Sequence, residues 1–198
     1  MISRLRPTVG RYLSEYPARL MASAGISPNA LTIFGFVFSA FTAWLLATGH
    51  LFAGAFLVLF SGWFDMLDGA LARLSTGPTR FGGMLDSTVD RLSEAAVFLG
   101  LVIYFANRGD ILEVALVYAA IVGSLMVSYT RAKAEGLGFR GEVGWFARPE
   151  RITLLALGLI LTVATSTALV IFLWILAAGS NVTALQRLFY VWKQSRDN

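Results

Sequence analysis

The chain has 198 residues, is 57% hydrophobic and only 14% charged, and has a mean hydropathy of +0.68, whereas about a quarter of a water-soluble domain is charged. Its net charge of +4 comes from basic residues that punctuate apolar stretches without forming one solvated patch, which argues against a nucleic-acid partner. The sequence has no cysteine and carries no redox signal. These features predict an all-α integral membrane protein forming one domain over residues 1–198, with an interfacial helix at 1–24 and six transmembrane helices within 27–193.

Taken in order, residues 1–24 interleave Arg4, Arg6, Arg11 and Arg19 with Ile2, Leu5, Val9, Tyr12, Leu13, Tyr16 and Leu20. That near-3.6 spacing predicts a basic amphipathic helix lying in the membrane interface, although Pro7 and Pro17 interrupt it. It lacks the continuous apolar core of a cleaved leader. Ser27 then offers a cap and Pro28 a first helical residue, opening a span at about 31–48. A second span is predicted at 51–73, and a breaker at Gly77-Pro78 turns the chain into a third at about 82–107. A fourth covers about 111–132 and ends in the polar run Ser128 to Glu135. After a glycine-rich loop and Arg148-Pro149-Glu150-Arg151, spans at about 152–165 and 167–192 complete the bundle.

Six spans put both termini, the 74–81 turn and the 133–151 segment on one side. All of the 16 Lys and Arg except Arg108 fall there, so the positive-inside rule makes that side cytoplasmic. The predicted location is the cell membrane, multi-pass.

Four carboxylates stand out in this apolar context: Asp65 and Asp68, three residues apart, and Asp86 and Asp90, four apart, so that each pair lies along one helix face. An acid at the centre of a membrane helix costs roughly 2.5–3.5 kcal/mol, which predicts that these face a wet, cation-bearing cavity. Asp68 precedes Arg73 by five residues, about 7.5 Å of helix, which places the first pair near the membrane surface. Oxygen donors without His or Cys suit Mg²⁺, with Mn²⁺ as a substitute, and Mg²⁺ usually completes its shell with substrate phosphate. Gly69 leaves room for a group to approach the helix, Ala72 continues the small surface, and Arg73 can grip a phosphate as a fork. Acid pairs alone would equally describe an ion-coupled transporter, but that class more often shows inverted repeats and broken helices at the midplane, and neither is found here.

The run Asp65-x2-Asp68-Gly69-x2-Ala72-Arg73-x8-Gly82-x3-Asp86-x3-Asp90 resembles the complete signature of the CDP-alcohol phosphotransferase family. Eight fixed residues, each used at a few per cent, coincide by chance at a given position on the order of once in 10¹⁰. The resemblance implies metal-dependent transfer of a substituted phosphate from a CDP-linked lipid to an alcohol with release of CMP, and a homodimeric enzyme. It implies two ions, one on Asp65, Asp68 and Asp86 and one on Asp65, Asp86 and Asp90, with Asp90 taking the acceptor proton. It places the CDP moiety against Gly69 and Arg73, with Thr79 and the segment Asn29, Ala30, Leu31 and Thr32 nearby.

The basic residues Arg131, Lys133, Arg148 and Arg151 suit an acceptor that itself carries phosphate. The segments around them are similar to those of phosphatidylinositol-phosphate synthases and their archaeal ether-lipid counterparts. Two departures are Ala147, where an acid is expected, and the interchanged order of Arg131 and Lys133. The implied donor is CDP-diacylglycerol or an ether-lipid analogue, and the implied acceptor is inositol phosphate. The alternative is the glycerol-phosphate acceptor of a phosphatidylglycerophosphate synthase, whose Lys-Thr-x-x-Gln-like segment is missing here.

Overall fold

The computed structural model describes residues 6–74, 77 and 79–196, with side chains from residue 15 onward. Their regular structure is entirely helical: α1 (Arg6–Ser23), α2 (Pro28–Ala47), α3 (Leu51–Leu74), α4 (Arg80–Arg108), α5 (Ile111–Gly136), α6 (Arg148–Leu161) and α7 (Thr167–Gln194). The predicted contributions of Ile2, Arg4, Leu5 and Pro78 lie outside the described residues, as do the side chains of Arg6 to Leu13.

Local chemistry sets the helix starts. Ser27 is extended, its Oγ accepts from the Ala30 N–H at 3.2 Å, and Pro28 occupies the first turn of α2 as expected. Thr79 does the same for α4, accepting from the Gly82 N–H at 2.9 Å. Gly109, at φ 76°, closes α4 in the left-handed conformation that only glycine adopts without strain.

Four helices, α2, α3, α5 and α7, are long and apolar enough to cross a membrane. α4 has the length, at 29 residues, but carries Arg80, Asp86, Asp90, Arg91, Glu94 and Arg108. α6 begins at Arg148, four residues before the predicted span, because Pro149 fits a first turn and does not end one. Its 14 residues rise about 21 Å, short of the ~30 Å hydrocarbon layer.

Neighbouring helices close a ring in the order α2, α4, α5, α7, α6, α3, and α1 packs on α3 from outside. α1 is seated by Ala18 against a small core of Leu31, Leu67, Ala70 and Leu71. The main core joins residues such as Leu46, Phe98, Leu101, Val117, Leu159 and Leu173. Small residues allow the closest crossings. A Cβ on Gly100 would stand 2.3 Å from the Ala43 carbonyl oxygen, so α2 and α4 meet backbone to backbone. The polarity of α2 is that of a lipid-facing helix: Phe34, Val37, Phe41 and Trp44 point outward and are about half exposed, while Ser39 and Thr42 are buried.

Candidate active site

The four acids come from two helices that face each other across a crevice. Asp65 and Asp68 lie near the end of α3, Asp86 and Asp90 near the start of α4, and each of Asp65, Asp68 and Asp90 feels the charge of Asp86. Such crowding of like charge needs compensation, and a guanidinium supplies part of it. Arg148, in the first turn of α6, places Nη1 2.6 Å from Asp65 Oδ2 and 2.8 Å from Asp90 Oδ1. Arg91 lies 3.9 Å from the other Asp90 oxygen. Asp68 is held differently, accepting from the Thr32 hydroxyl at 3.3 Å.

A groove of about 470 Å³ opens beside the acids. It is walled by Asn29 and Thr32 of α2, Asp68, Gly69, Ala72 and Arg73 of α3, and Thr79, Gly82 and Asp86 at the start of α4. Signature residues separated by up to 18 positions in sequence, Asp68 to Asp86, therefore form one surface. A Cβ on Gly69 would have only Arg73 Nη1 within 4 Å, at 3.6 Å, so nothing in the protein itself requires glycine there. Gly82 has an internal reason: its Cβ would be 2.9 Å from Thr79 Oγ1 and 3.5 Å from Asn29 Oδ1. Of the predicted segment Asn29 to Thr32, the first and last line the groove, whereas Leu31 is buried in the α1 core and Ala30 bonds to the Ser27 cap.

The donor set suits a hard divalent ion: its groups are all oxygen, and Asp65 Oδ2 already receives a cationic neighbour, the Arg148 guanidinium at 2.6 Å. No group of three or more such donors is drawn together closely enough to hold an ion among the described residues, and Arg148 lies against two of the four.

The four cations expected at an acceptor site differ in their surroundings. Arg131 pairs with Glu135 at 2.8 Å and with Glu142. Lys133 is exposed, and Arg148 faces the acids. Arg151 is only 2% exposed and is engaged within the protein: Nε and Nη2 donate to the two Glu94 oxygens, each at 2.9 Å, and Nη1 to the Phe146 carbonyl at 2.9 Å.

Arg187 of α7 was not singled out in sequence. It is buried, donates to the Val143 carbonyl at 2.8 Å and the Val127 carbonyl at 2.6 Å, and lies within electrostatic reach of Arg131 and Arg151. The signal was available, since an arginine inside an otherwise apolar helix is costly enough to demand a reason.

Residues 25–190 match the family model described as CDP-alcohol phosphatidyltransferase. The phosphatidylinositol phosphate synthase of Mycobacterium tuberculosis is 42% identical over 182 residues, covering 88% of this chain and 83% of that protein. An archaetidylinositol phosphate synthase of Methanothermobacter thermautotrophicus is 35% identical over 199 residues, covering 98% of this chain and 95% of its own length. The fold agrees as well. A crystal structure of the M. tuberculosis synthase with CDP-DAG bound superposes with a TM-score of 0.85 at 40% identity, covering 90% of this chain and 93% of the other. One in complex with manganese and citrate gives 0.83 at 39%, covering 90% and 88%.

Proposed function

This chain belongs to the CDP-alcohol phosphatidyltransferase family, and from that premise we propose that it transfers a phosphatidyl group from CDP-diacylglycerol, or an ether-lipid analogue, to inositol phosphate, giving phosphatidylinositol phosphate and CMP. The observation that carries the reading is the groove in which Asn29, Thr32, Gly69, Arg73 and Thr79 adjoin Asp68 and Asp86. It offers a glycine-floored path for a diphosphate and a fork-shaped cation at one end of it. Inositol phosphate as acceptor is favoured because the two named relatives are a phosphatidylinositol phosphate synthase and an archaetidylinositol phosphate synthase.

In this reading an acceptor hydroxyl oxygen forms a bond to the lipid-side phosphorus. The bond from that phosphorus to the bridging oxygen breaks, and CMP departs with the electron pair. Asp90 accepts the hydroxyl proton, and Asn29, Thr32, Gly69, Arg73 and Thr79 hold the CDP moiety in line. Asp65, Asp68, Asp86 and Asp90 would hold two Mg²⁺ ions, replaceable by Mn²⁺. When bound, these neutralise the diphosphate and stabilise the leaving oxygen. The acceptor's phosphate is assigned to Arg131, Lys133 and Arg148.

We place the enzyme in the cell membrane as a homodimer with six spans, α4 and α6 joining the four apolar helices and α1 lying in the interface. The concentration of basic residues at the acid end supports a cytoplasmic site and cytoplasmic termini. Purified protein with CDP-diacylglycerol and Mg²⁺ should release CMP on addition of inositol phosphate and cease on chelation. Release with glycerol phosphate alone would instead make it a phosphatidylglycerophosphate synthase, and release with neither would refute the proposal.

A further inference from the structure

At the end of the bundle opposite the acids, the helices do not finish level. Arg148 in the first turn of α6 pairs with Asp90 of α4 at 2.8 Å, so the two helices leave that point at the same height. From there α4 runs 18 residues to Arg108 and α6 only 13 to Leu161, which leaves α6 about 7 Å short. A hollow of about 640 Å³ lies where the missing turn would be, within the span of about 300–1,000 Å³ usual for small-ligand sites. Two of its lining residues, Phe105 and Leu169, belong to the main core and are buried. The polar ones are Arg108 at the end of α4, Asp110 and Glu113 at the start of α5, and Ser166 and Thr167 at the start of α7.

The charges there are not matched within the protein. Arg108 Nε donates to Asp110 Oδ2 at 3.0 Å, and the guanidinium lies over the Tyr104 ring at 5.4 Å. Its two terminal nitrogens have no partner among the described residues, and neither has the half-buried Glu113 carboxylate. An occupant that completes this set brings an anionic group to Arg108 and a cation with N–H donors to Glu113. The α3 and α6 side of the hollow is apolar and open, with Phe52 48% and Val163 73% exposed. Phe52 meets Phe56, one turn further along α3 and also about half exposed, edge to face at 5.0 Å. That strip leads from the polar groups towards the middle of the span, which is the course of an acyl chain.

We infer that the hollow is a second lipid site, separate from the donor groove, for a zwitterionic aminophospholipid of the phosphatidylethanolamine type from the leaflet opposite the acids. The phosphate meets Arg108, the ammonium meets Glu113, and one chain follows Phe52 and Phe56. A choline headgroup has no N–H to give Glu113, and a glycerol headgroup brings no cation against two acids. The inference goes beyond the proposed reaction and uses only the six-span placement.

The test is native mass spectrometry of full-length protein released from micelles holding equal amounts of dioleoyl phosphatidylethanolamine, phosphatidylcholine and phosphatidylglycerol. Wild type should retain one phosphatidylethanolamine in about tenfold preference to either competitor, the factor expected of one hydrogen bond between charged groups. Glu113→Gln should lose the preference over phosphatidylcholine, and Arg108→Gln should retain about tenfold less phosphatidylethanolamine. Both changes nearly conserve shape, and thermal melting in detergent checks that each variant is folded; if one is not, the other decides. Equal retention of the three lipids, or wild-type preference in a folded variant, overturns the inference. Release of the retained lipid on adding CDP-diacylglycerol would place it in the donor groove and defeat the claim of a second site. Binding of soluble phosphoethanolamine with no phospholipid retained would assign the hollow to a free amine phosphate and refute the lipid assignment.

Discussion

Gly69→Ala separates the needs of the fold from those of the substrate. On an ideal backbone the added methyl lies 3.6 Å from Arg73 Nη1 and has no other neighbour within 4 Å, an ordinary contact with the end of a flexible side chain. In a helix interior, alanine is preferred to glycine by about 0.8–1 kcal/mol. The variant should therefore melt at or slightly above the wild-type temperature. Its methyl, however, projects into the groove of about 470 Å³, against which the diphosphate is proposed to lie. Displacing that group by about 1 Å is expected to cost up to 100-fold in turnover. The assay pairs thermal melting with CMP release over a range of CDP-diacylglycerol concentrations. A variant that is both stable and fully active, with the wild-type KM for CDP-diacylglycerol, would show that the donor does not pass over Gly69 and would remove the main support for the groove as its seat.

Gly100→Ala should behave in the opposite way. Its Cβ would stand 2.3 Å from the Ala43 carbonyl oxygen and 2.8 Å from Ala43 Cα, backbone atoms that yield only if α2 and α4 separate. A cost of about 1–3 kcal/mol follows, read as a melting temperature several degrees lower, and an unchanged melt would contradict the close crossing. Asp90→Asn keeps the shape of a side chain that receives Arg148 at 2.8 Å, so CDP-lipid binding should persist while turnover is lost. Full activity in that variant would eliminate Asp90 as the proton acceptor.

What the sequence made legible was whatever depends on spacing along the chain. Ser27 and Pro28 announced the start of α2, and the run from Asp65 to Asp90 announced two helix faces that had to meet. Caps and helical periodicity are local physics, and they survived folding. Pairing across space did not show. Arg148 and Arg151 read as open cations in a loop before a span, because Ile152 begins the apolar run. In the fold, Pro149 draws them into the first turn of α6, which points one at Asp65 and Asp90 and buries the other against Glu94. The offsets Asp90 to Glu94 and Arg148 to Arg151 were both visible, but the α4–α6 contact that turns them into partners was not. The start of α6 lies four residues before the expected one for the same reason: hydropathy detects an apolar run, not where a polar first turn has been added to it.

The arrangement divides the proposed reaction between two sides of the helix ring. Donor contacts lie on α2, α3 and the start of α4, whereas the cations assigned to the acceptor lie on α5 and α6, with Asp90 between the two groups. The sides are joined mainly by charge, since Arg148 on the acceptor side rests on Asp65 and Asp90. A family that keeps one donor and varies its alcohol needs this separation, because the donor groove can stay fixed while the opposite wall changes. On that argument, exchange of the α5–α6 segment around Arg131, Lys133 and Arg148 is the change that should redirect the acceptor. Exchange of the Asn29 to Thr32 segment should alter only the grip on CDP. The Glu94–Arg151 fork sets a limit on such exchange: an α6 without its arginine one turn after Arg148 would leave Glu94 buried with no cation, a loss that costs far more than a change of substrate contact.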